Sequence, residues 1–425
     1  MMQADAQVEV ITFGCRLNTV ESAVMQRHAV AAALSDTVIV HSCAVTAEAE
    51  RQARQTIRRV RRDRPETRIV VTGCSAQIAH DVYAAMPEVD HVVGNAEKLR
   101  AETWRTLASG AVAPRLLVGD IMAARATPAQ PVDSLERRTR AILQVQQGCD
   151  HRCTFCVIPF GRGPSRSLPL PAIVAQARAL AAGGYAEFVI TGVDLTSYGL
   201  DLPGRPTLGA MLQGLLAELP ELRRLRLSSL DPAAIDAGLC RLVAEEPRLM
   251  PHLHLSVQAG HDLVLKRMKR RHGRADVIEI AGRLRRLRPD LVFGADLIAG
   301  FPTEDEAMFQ ASLDLVDEAG LTFLHVFPYS PRPGTPAARM PQVSGPERKE
   351  RAARLRERGK RALGSFLTAQ LGQRRRAMIE RGGRGRTDQF APIRFPTGAT
   401  PLPAGTIAEL AVTAVEDGML VGRVG

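Results

Sequence analysis

Lysine is nearly absent from the 425-residue chain: Lys98, Lys266, Lys269, Lys349 and Lys360 are the only ones among 56 basic residues, the rest being arginine. A GC-rich genome accounts for the choice of arginine. It does not account for the formal net charge of +11, which calls for a polyanionic partner such as nucleic acid. Aromatic residues are also scarce, at 4%, which argues against a binding surface of stacked rings. No run of eighteen apolar residues occurs, so no membrane-spanning helix is expected. Residues 1–10 show no basic segment followed by an apolar core; no secretory signal is expected, and the cytoplasm is the expected compartment. Disulfides are not expected there. The seven cysteines, an odd number, point to metal or redox chemistry instead.

With 45% apolar and 24% charged residues, the composition is globular, and the length fits two or three domains. Residues 8–13, 37–41 and 68–71 are β-branched runs of the buried-strand type, and 21–34 and 48–62 carry helical periodicity between them. This alternation implies a parallel, Rossmann-like sheet. Residues 111–131, rich in Ala and Pro, read as a linker. A second series predicts strands at 141–145, 187–191, 224–228, 252–257, 291–297 and 322–327, with helices at 170–182, 208–219 and 276–287. Six such units fall short of an eight-unit barrel of roughly 250 residues, so a partial (βα)6 barrel is expected. Residues 346–371 read as one charged helix, and 376–380, 389–395, 406–415 and 419–424 as strands of a small OB-like β-barrel. The expected fold is α/β in three domains: 1–125, 138–370 and 372–425.

Cys149, Cys153 and Cys156 have C-x3-C-x2-C spacing in Gln147-Gly-Cys-Asp-His-Arg-Cys-Thr-Phe-Cys156. Three thiolates on one loop can hold three irons of a [4Fe–4S] cluster. The fourth iron then stays open to an external ligand, which suits the amine and carboxylate of S-adenosylmethionine. The loop follows the first strand of the second series, at the mouth where barrel active sites lie. A structural zinc site is the competing reading, but zinc takes four ligands; His151 is too close in sequence to serve easily as the fourth.

Cys15, Cys43 and Cys74 each follow a predicted strand and are spaced by one βα unit apiece. Ligands collect at the carboxyl ends of parallel strands, so the three converge on one site. A second three-ligand cluster is the natural reading; small buried hydrophobes are the competing one. Cys240, in a helical stretch without partners, reads as core.

Together these features resemble the methylthiotransferase family of radical S-adenosylmethionine enzymes. The closest resemblance is to its tRNA threonylcarbamoyladenosine branch. The residues that carry it are Thr12-Phe-Gly-Cys-Arg-Leu-Asn18 with Glu21-Ser22, Ser42-Cys-Ala-Val-Thr-Ala-Glu-Ala-Glu-Arg51 and the 147–156 loop. Gly161-Arg-Gly-Pro-Ser-Arg166 and Val326-Phe-Pro-Tyr-Ser-Pro-Arg-Pro-Gly-Thr335 extend it. His41 stands where the family commonly has Asn. The resemblance implies two [4Fe–4S] clusters, S-adenosylmethionine as cosubstrate, and conversion of N6-threonylcarbamoyladenosine beside the anticodon to its 2-methylthio form. One S-adenosylmethionine would methylate sulfur at the auxiliary cluster; a second would be cleaved to the 5′-deoxyadenosyl radical that drives insertion. Flavodoxin or ferredoxin is the implied electron donor. The alternatives are methylthiolation of isopentenyladenosine or of a ribosomal protein and, in another class, a non-catalytic zinc-holding RNA-binding protein.

S-adenosylmethionine should lie at the barrel strand ends, with Phe155 on the adenine and Asp194 on the amine. Gly192 would let backbone approach, and Ser228 and Gln258 would contact carboxylate or ribose. Residues 346–386 hold fourteen basic residues against four acids. The barrel that follows resembles the TRAM RNA-binding domain, so Arg374, Arg375, Arg376, Arg384 and Arg386 are the expected tRNA contacts. Arg51, Arg54, Arg58, Arg61 and Arg62, at helical spacing, could form a second basic face.

Overall fold

The computed structural model describes residues 8–109, 113–125 and 139–424. Part of the 1–10 segment and of the 111–131 linker therefore lies outside the described residues. Five parallel strands form the first sheet: β1 (Val8–Thr12), β2 (Thr37–Ser42), β3 (Arg68–Gly73), β4 (His91–Val93) and β5 (Leu116–Leu117). Their order is sequential, unlike the 3-2-1-4-5 order of dinucleotide-binding sheets. Alternate residues serve opposite faces. Val38 and Val40 pack with Ile57 of the helix Ala47–Asp63, while Ile39 packs with Met25 and Trp104 of the helices Arg16–Ala31 and Ala101–Ala108. Within the expected linker, Leu116 and Leu117 pair with Val92 and Val93 as an edge strand. Two residues are too short a run to show a period.

The second unit begins with β6 (Ala141–Gln144), followed by the ribbon strands β7 (Gln146–Gln147) and β8 (Arg166–Ser167). The remaining barrel strands are β9 (Glu187–Thr191), β10 (Arg224–Leu227), β11 (His252–Gln258), β12 (Val292–Ala299) and β13 (Leu321–Pro328). They form two parallel three-stranded sheets, β6-β9-β10 and β11-β12-β13, joined by bridges at Leu225–Leu249 and Leu230–Leu255. The result is the expected open, six-stranded barrel. Leu225, Leu227, Leu253, Leu255, Phe293 and Ala295 enter the apolar layer under the helices. Alternation leaves Arg226, Ser228, His252, His254 and Asp296 on the inner face.

The helix Gly345–Thr368 leads to a closed barrel of β14 (Arg374–Ile379), β15 (Arg384–Thr387), β16 (Pro392–Arg394), β17 (Ile407–Glu416) and β18 (Met419–Val424). Strand β15 falls in the Arg/Gly-rich run between the expected strands 376–380 and 389–395, where no strand is expected. Gly385 fits because a Cβ there would lie 2.6 Å from the Met378 carbonyl oxygen. The turn after β15 carries Phe390 at φ +70° and plugs the lower end of the central barrel. Phe390 stacks on His252 at 5.0 Å, while Arg226 donates to the Thr387 and Asp388 carbonyls at 2.7 and 2.9 Å. Among the described residues no helix is long and apolar enough to cross a membrane.

Candidate active site

The 149–156 loop is fixed from both ends. Gly148, at φ +72°, passes so close to Pro164 that a Cβ would lie 1.9 Å from its carbonyl oxygen. Thr154 donates through Oγ1 to the Arg267 carbonyl at 2.7 Å and through its backbone N–H to the Met268 carbonyl at 3.1 Å. Arg270 Nη1 lies 3.6 Å from Cys153 Sγ, and Cys149 Sγ lies 3.8 Å from Asp194 Oδ2. His151 points at Asp194, with Nε2 2.9 Å from Oδ2. Burial, helped by Asp194, pushes the Cys149 thiol up to about 12, and burial pushes Cys156 up to about 11. Such thiols stay protonated near neutral pH unless a cation is bound, when they become thiolate ligands. The donor set therefore suits an iron–sulfur cluster.

Beside the loop, Gln146 Oε1 accepts from the backbone N–H groups of Val193 and Asp194 at 2.8 and 2.9 Å. A Cβ on Gly192 would lie 2.8 Å from that oxygen, so the glycine makes the turn possible. Burial opposes ionisation of Asp194, but hydrogen bonds from His151 and Ser197 outweigh it and hold the carboxyl below its ordinary value. Ser228 Oγ and both polar atoms of the Gln144 amide are buried without a hydrogen-bond partner among the described residues. Orphaned groups on an inner face are what a polar ligand such as S-adenosylmethionine would satisfy. Gln258 ends β11 at φ +73°, and Phe155 packs edge-on against Phe301 at 6.4 Å.

Cys15 precedes the helix Arg16–Ala31 and is exposed, Cys43 follows β2, and Cys74 opens the helix Cys74–Ile78. The first two are brought together by Gly14, at φ +100°, where a Cβ would lie 2.9 Å from Cys43 Sγ. Burial pushes Cys43 up to about 11, with Cys74 and Cys15 adding to the effect. The two cysteine sites then meet. A Cβ on Gly161, in the helix Ile158–Arg162, would lie 3.1 Å from Cys74 Cβ, and Val157 packs on Cys74 and Ala44.

The sequence reading missed the polar side chains at this junction. Glu21 receives Lys98 at 2.8 Å, Arg162 at 2.9 Å and Gln147 at 2.9 Å, all buried. His41, the departure from the family pattern, accepts from Lys98 through Nε2 at 2.9 Å and hydrogen-bonds Ser22 through Nδ1 at 2.9 Å. The Gly-Asn-Ala-Glu-Lys run directly after β4 was the available signal. On the inner face, Asp296 also meets His254 and His325 at 2.9 and 3.2 Å. Cys240 is buried in the helix Ala237–Glu245, 3.2 Å from Arg283.

Of the arginines expected to contact RNA, Arg374 and Arg376 are exposed and pair with Glu409 and Asp388, and Arg384 is exposed. Arg375 is half-buried and hydrogen-bonds Gln370 and Gln373. Arg386 turns inward, its guanidinium 4.8 Å from the Phe390 ring centre. On the helix Ala47–Asp63, Arg51 pairs with Glu48, and Arg61 is drawn down to Asp90 at 2.6 Å and the Glu88 carbonyl.

Residues 143–316 match the model of the Radical SAM superfamily, and residues 7–94 that of Uncharacterized protein family UPF0004. The radical S-adenosylmethionine methyltransferase TsrM from Kitasatospora setae shares the fold, with a TM-score of 0.53 at 19% identity over 75% of this chain and 66% of that one. The cobalamin-dependent enzyme OxsB follows at 0.50 and 10% identity over 83% and 56%. Fold and loop thus define a radical S-adenosylmethionine enzyme, a class that works with S-adenosylmethionine and a [4Fe–4S] cluster. More narrowly, the chain is 47% identical, over 99% of its length and 98% of the relative's, to the threonylcarbamoyladenosine tRNA methylthiotransferase of Rickettsia prowazekii. The like-named protein of Thermotoga maritima is 36% identical over 88% and 86%. A tRNA-2-methylthio-N(6)-dimethylallyladenosine synthase of Sphingopyxis alaskensis is 35% identical over 88% and 87%. The chain belongs to the radical S-adenosylmethionine methylthiotransferase family.

Proposed function

We propose that this enzyme installs a methylthio group at C2 of N6-threonylcarbamoyladenosine beside the anticodon of tRNA. What carries the reading is the meeting of two three-cysteine sites, Cys74 against Gly161, in a chain matched end to end by a protein named for that activity. Cys149, Cys153 and Cys156 would hold one [4Fe–4S] cluster and Cys15, Cys43 and Cys74 the other. Bound there, the clusters supply the electron that cleaves S-adenosylmethionine and the site for the transferred sulfur, radical chemistry being required because the adenine C2–H bond is strong and weakly acidic.

The chain's own residues bind and orient. Asp194, kept ionised by His151 and Ser197, pairs with the methionine amine, and Gly192 lets the backbone come close. Ser228 and Gln258 take carboxylate or ribose contacts, and Phe155 packs on the adenine. The Phe390 turn blocks the lower end of the barrel, which leaves the strand C-terminal ends as the way in for RNA. On the C-terminal barrel, Arg374, Arg375, Arg376 and Arg384 neutralise phosphates of a more distant part of the same RNA, with Arg386 supporting from inside. The cytoplasm, with flavodoxin or ferredoxin as reductant, completes the reading. Nucleoside mass spectrometry of tRNA from cells with and without the gene tests it. Loss of only the 2-methylthio derivative of threonylcarbamoyladenosine is expected; loss of only the isopentenyladenosine derivative would transfer the reading to the other branch.

A further inference from the structure

The junction between the cysteine sites contains more positive charge than it balances. Glu21 and Lys98 expose nothing to solvent and Arg162 exposes 2%. Lys98 Nζ lies 2.8 Å from one Glu21 oxygen and Arg162 Nη1 2.9 Å from the other. Two cations thus share one carboxylate in the interior, where an uncompensated charge is strongly destabilising.

The surplus is directed at sulfur. Lys98 donates to Asn95 Oδ1 at 2.6 Å, and Asn95 Nδ2 donates to the Gly161 carbonyl and lies 3.7 Å from Cys74 Sγ. An ammonium has no acceptor, so Lys98 fixes the amide with its oxygen inward and its NH2 toward the sulfur. Asn95 is also anchored through its backbone N–H, which donates to Gln77 at 2.8 Å. On the other flank, Arg162 Nη2 donates to Asn18 Oδ1 at 2.6 Å, and that oxygen lies 3.5 Å from Cys15 Sγ. Hydrogen bonds to ligand sulfurs, together with local charge, set the potential of an iron–sulfur group.

We propose that Asn95, held by Lys98, is a positioning residue for the cluster of Cys15, Cys43 and Cys74. Its amide hydrogen-bonds the Cys74 sulfur, and with the buried cation behind it favours the more negative, reduced state of that cluster. This rests on the reading that these three cysteines are cluster ligands.

The test is a potentiometric titration, followed by EPR, of the anaerobically reconstituted enzyme and its Asn95→Asp and Lys98→Met variants. Asn95→Asp keeps the oxygen that meets Lys98 and removes the donor; Lys98→Met leaves Glu21 paired with Arg162. Each variant should lower the equilibrium constant for reducing one cluster by about tenfold or more, 59 mV per tenfold for one electron. The cluster whose EPR signal responds to S-adenosylmethionine should keep its potential. Unchanged potentials at full iron content, or equal shifts in both clusters, would overturn the proposal. Wild-type enzyme carrying 15N-asparagine gives a readout that needs no variant: pulsed EPR of the reduced protein should detect a 15N coupling to the second cluster, and its absence overturns the proposal as well. Iron and sulfide analysis separates the two failures. A wild type that loads one cluster refutes the cysteine reading, whereas two clusters with no coupling and no shift refute only the role of Asn95.

Discussion

Glu187 is a buried carboxylate shared by three arginines: Arg224 at 2.5 Å, Arg140 at 2.6 Å and Arg226 at 2.7 Å. Burial alone raises its pKa; Arg226, Arg224 and Arg140 reverse that, so it titrates below its ordinary value. A carboxyl with a depressed folded-state pKa contributes stability above its unfolded pKa, about 4.3, and loses it as pH falls through the folded value. Glu187→Gln should therefore cost about 3–5 kcal/mol near neutral pH by leaving the buried Arg226 guanidinium without its carboxylate. The gap in unfolding free energy from wild type should narrow in acid; a gap independent of pH would show that the carboxylate is not ionised in the fold. The cysteines of 149–156 could be read because their spacing is local. Glu21, Asn95 and Lys98 could not, since their partners Gln147, Gly161 and Arg162 lie far along the chain, and a buried charge looks like a surface one until its neighbours are known.

The strands of the central barrel were legible because each is an apolar or alternating run set between helices, and β9 and the helix Leu170–Ala182 occur as expected. Strands β4, β5 and β15 were not, being short or glycine-containing and stabilised by pairing with neighbours distant in sequence. The plug turn was likewise hidden, because nothing local marks Phe390 for a positive φ. Phe390→Ala removes its stacking with His252 and with the Arg226 guanidinium at 5.0 Å. Phe390→Gly loses the same contacts but relieves a left-handed backbone that costs an ordinary residue about 1–2 kcal/mol. The glycine variant should thus unfold at a higher temperature than the alanine variant, and the reverse order would show that the turn is unstrained. On the proposed reading, the two cysteine elements separate in function. Changing Cys149, Cys153 and Cys156 to Ala should leave one cluster and abolish S-adenosylmethionine cleavage. Changing Cys15, Cys43 and Cys74 to Ala should spare cleavage but abolish methylthio product. Iron analysis with both assays checks each half, and full iron in either variant would contradict it.

Across the molecule, the Phe390 plug and the ion pairs of Arg140 and Arg224 with Glu380 and Asp388 tie the C-terminal barrel to the base of the central one. On the proposed reading, RNA held by the former would be presented to the latter in one orientation. Arg374 and Arg375 are the arginines to change, because Asp388, the partner of Arg376, also holds Arg224. Gln at both should flatten the log–log salt dependence of tRNA binding by up to about two units, at roughly 0.7–0.9 per phosphate. An unaltered slope would move the footprint to the helix Ala47–Asp63. The most direct measurement of the whole account is a single anaerobic reaction of the reconstituted enzyme, S-adenosylmethionine and reductant with two tRNAs, one bearing threonylcarbamoyladenosine and one isopentenyladenosine, followed by nucleoside mass spectrometry. The account predicts the 2-methylthio product on the threonylcarbamoyladenosine tRNA alone, with 5′-deoxyadenosine formed alongside. Product confined to the isopentenyladenosine tRNA, or 5′-deoxyadenosine without product on either, would contradict it.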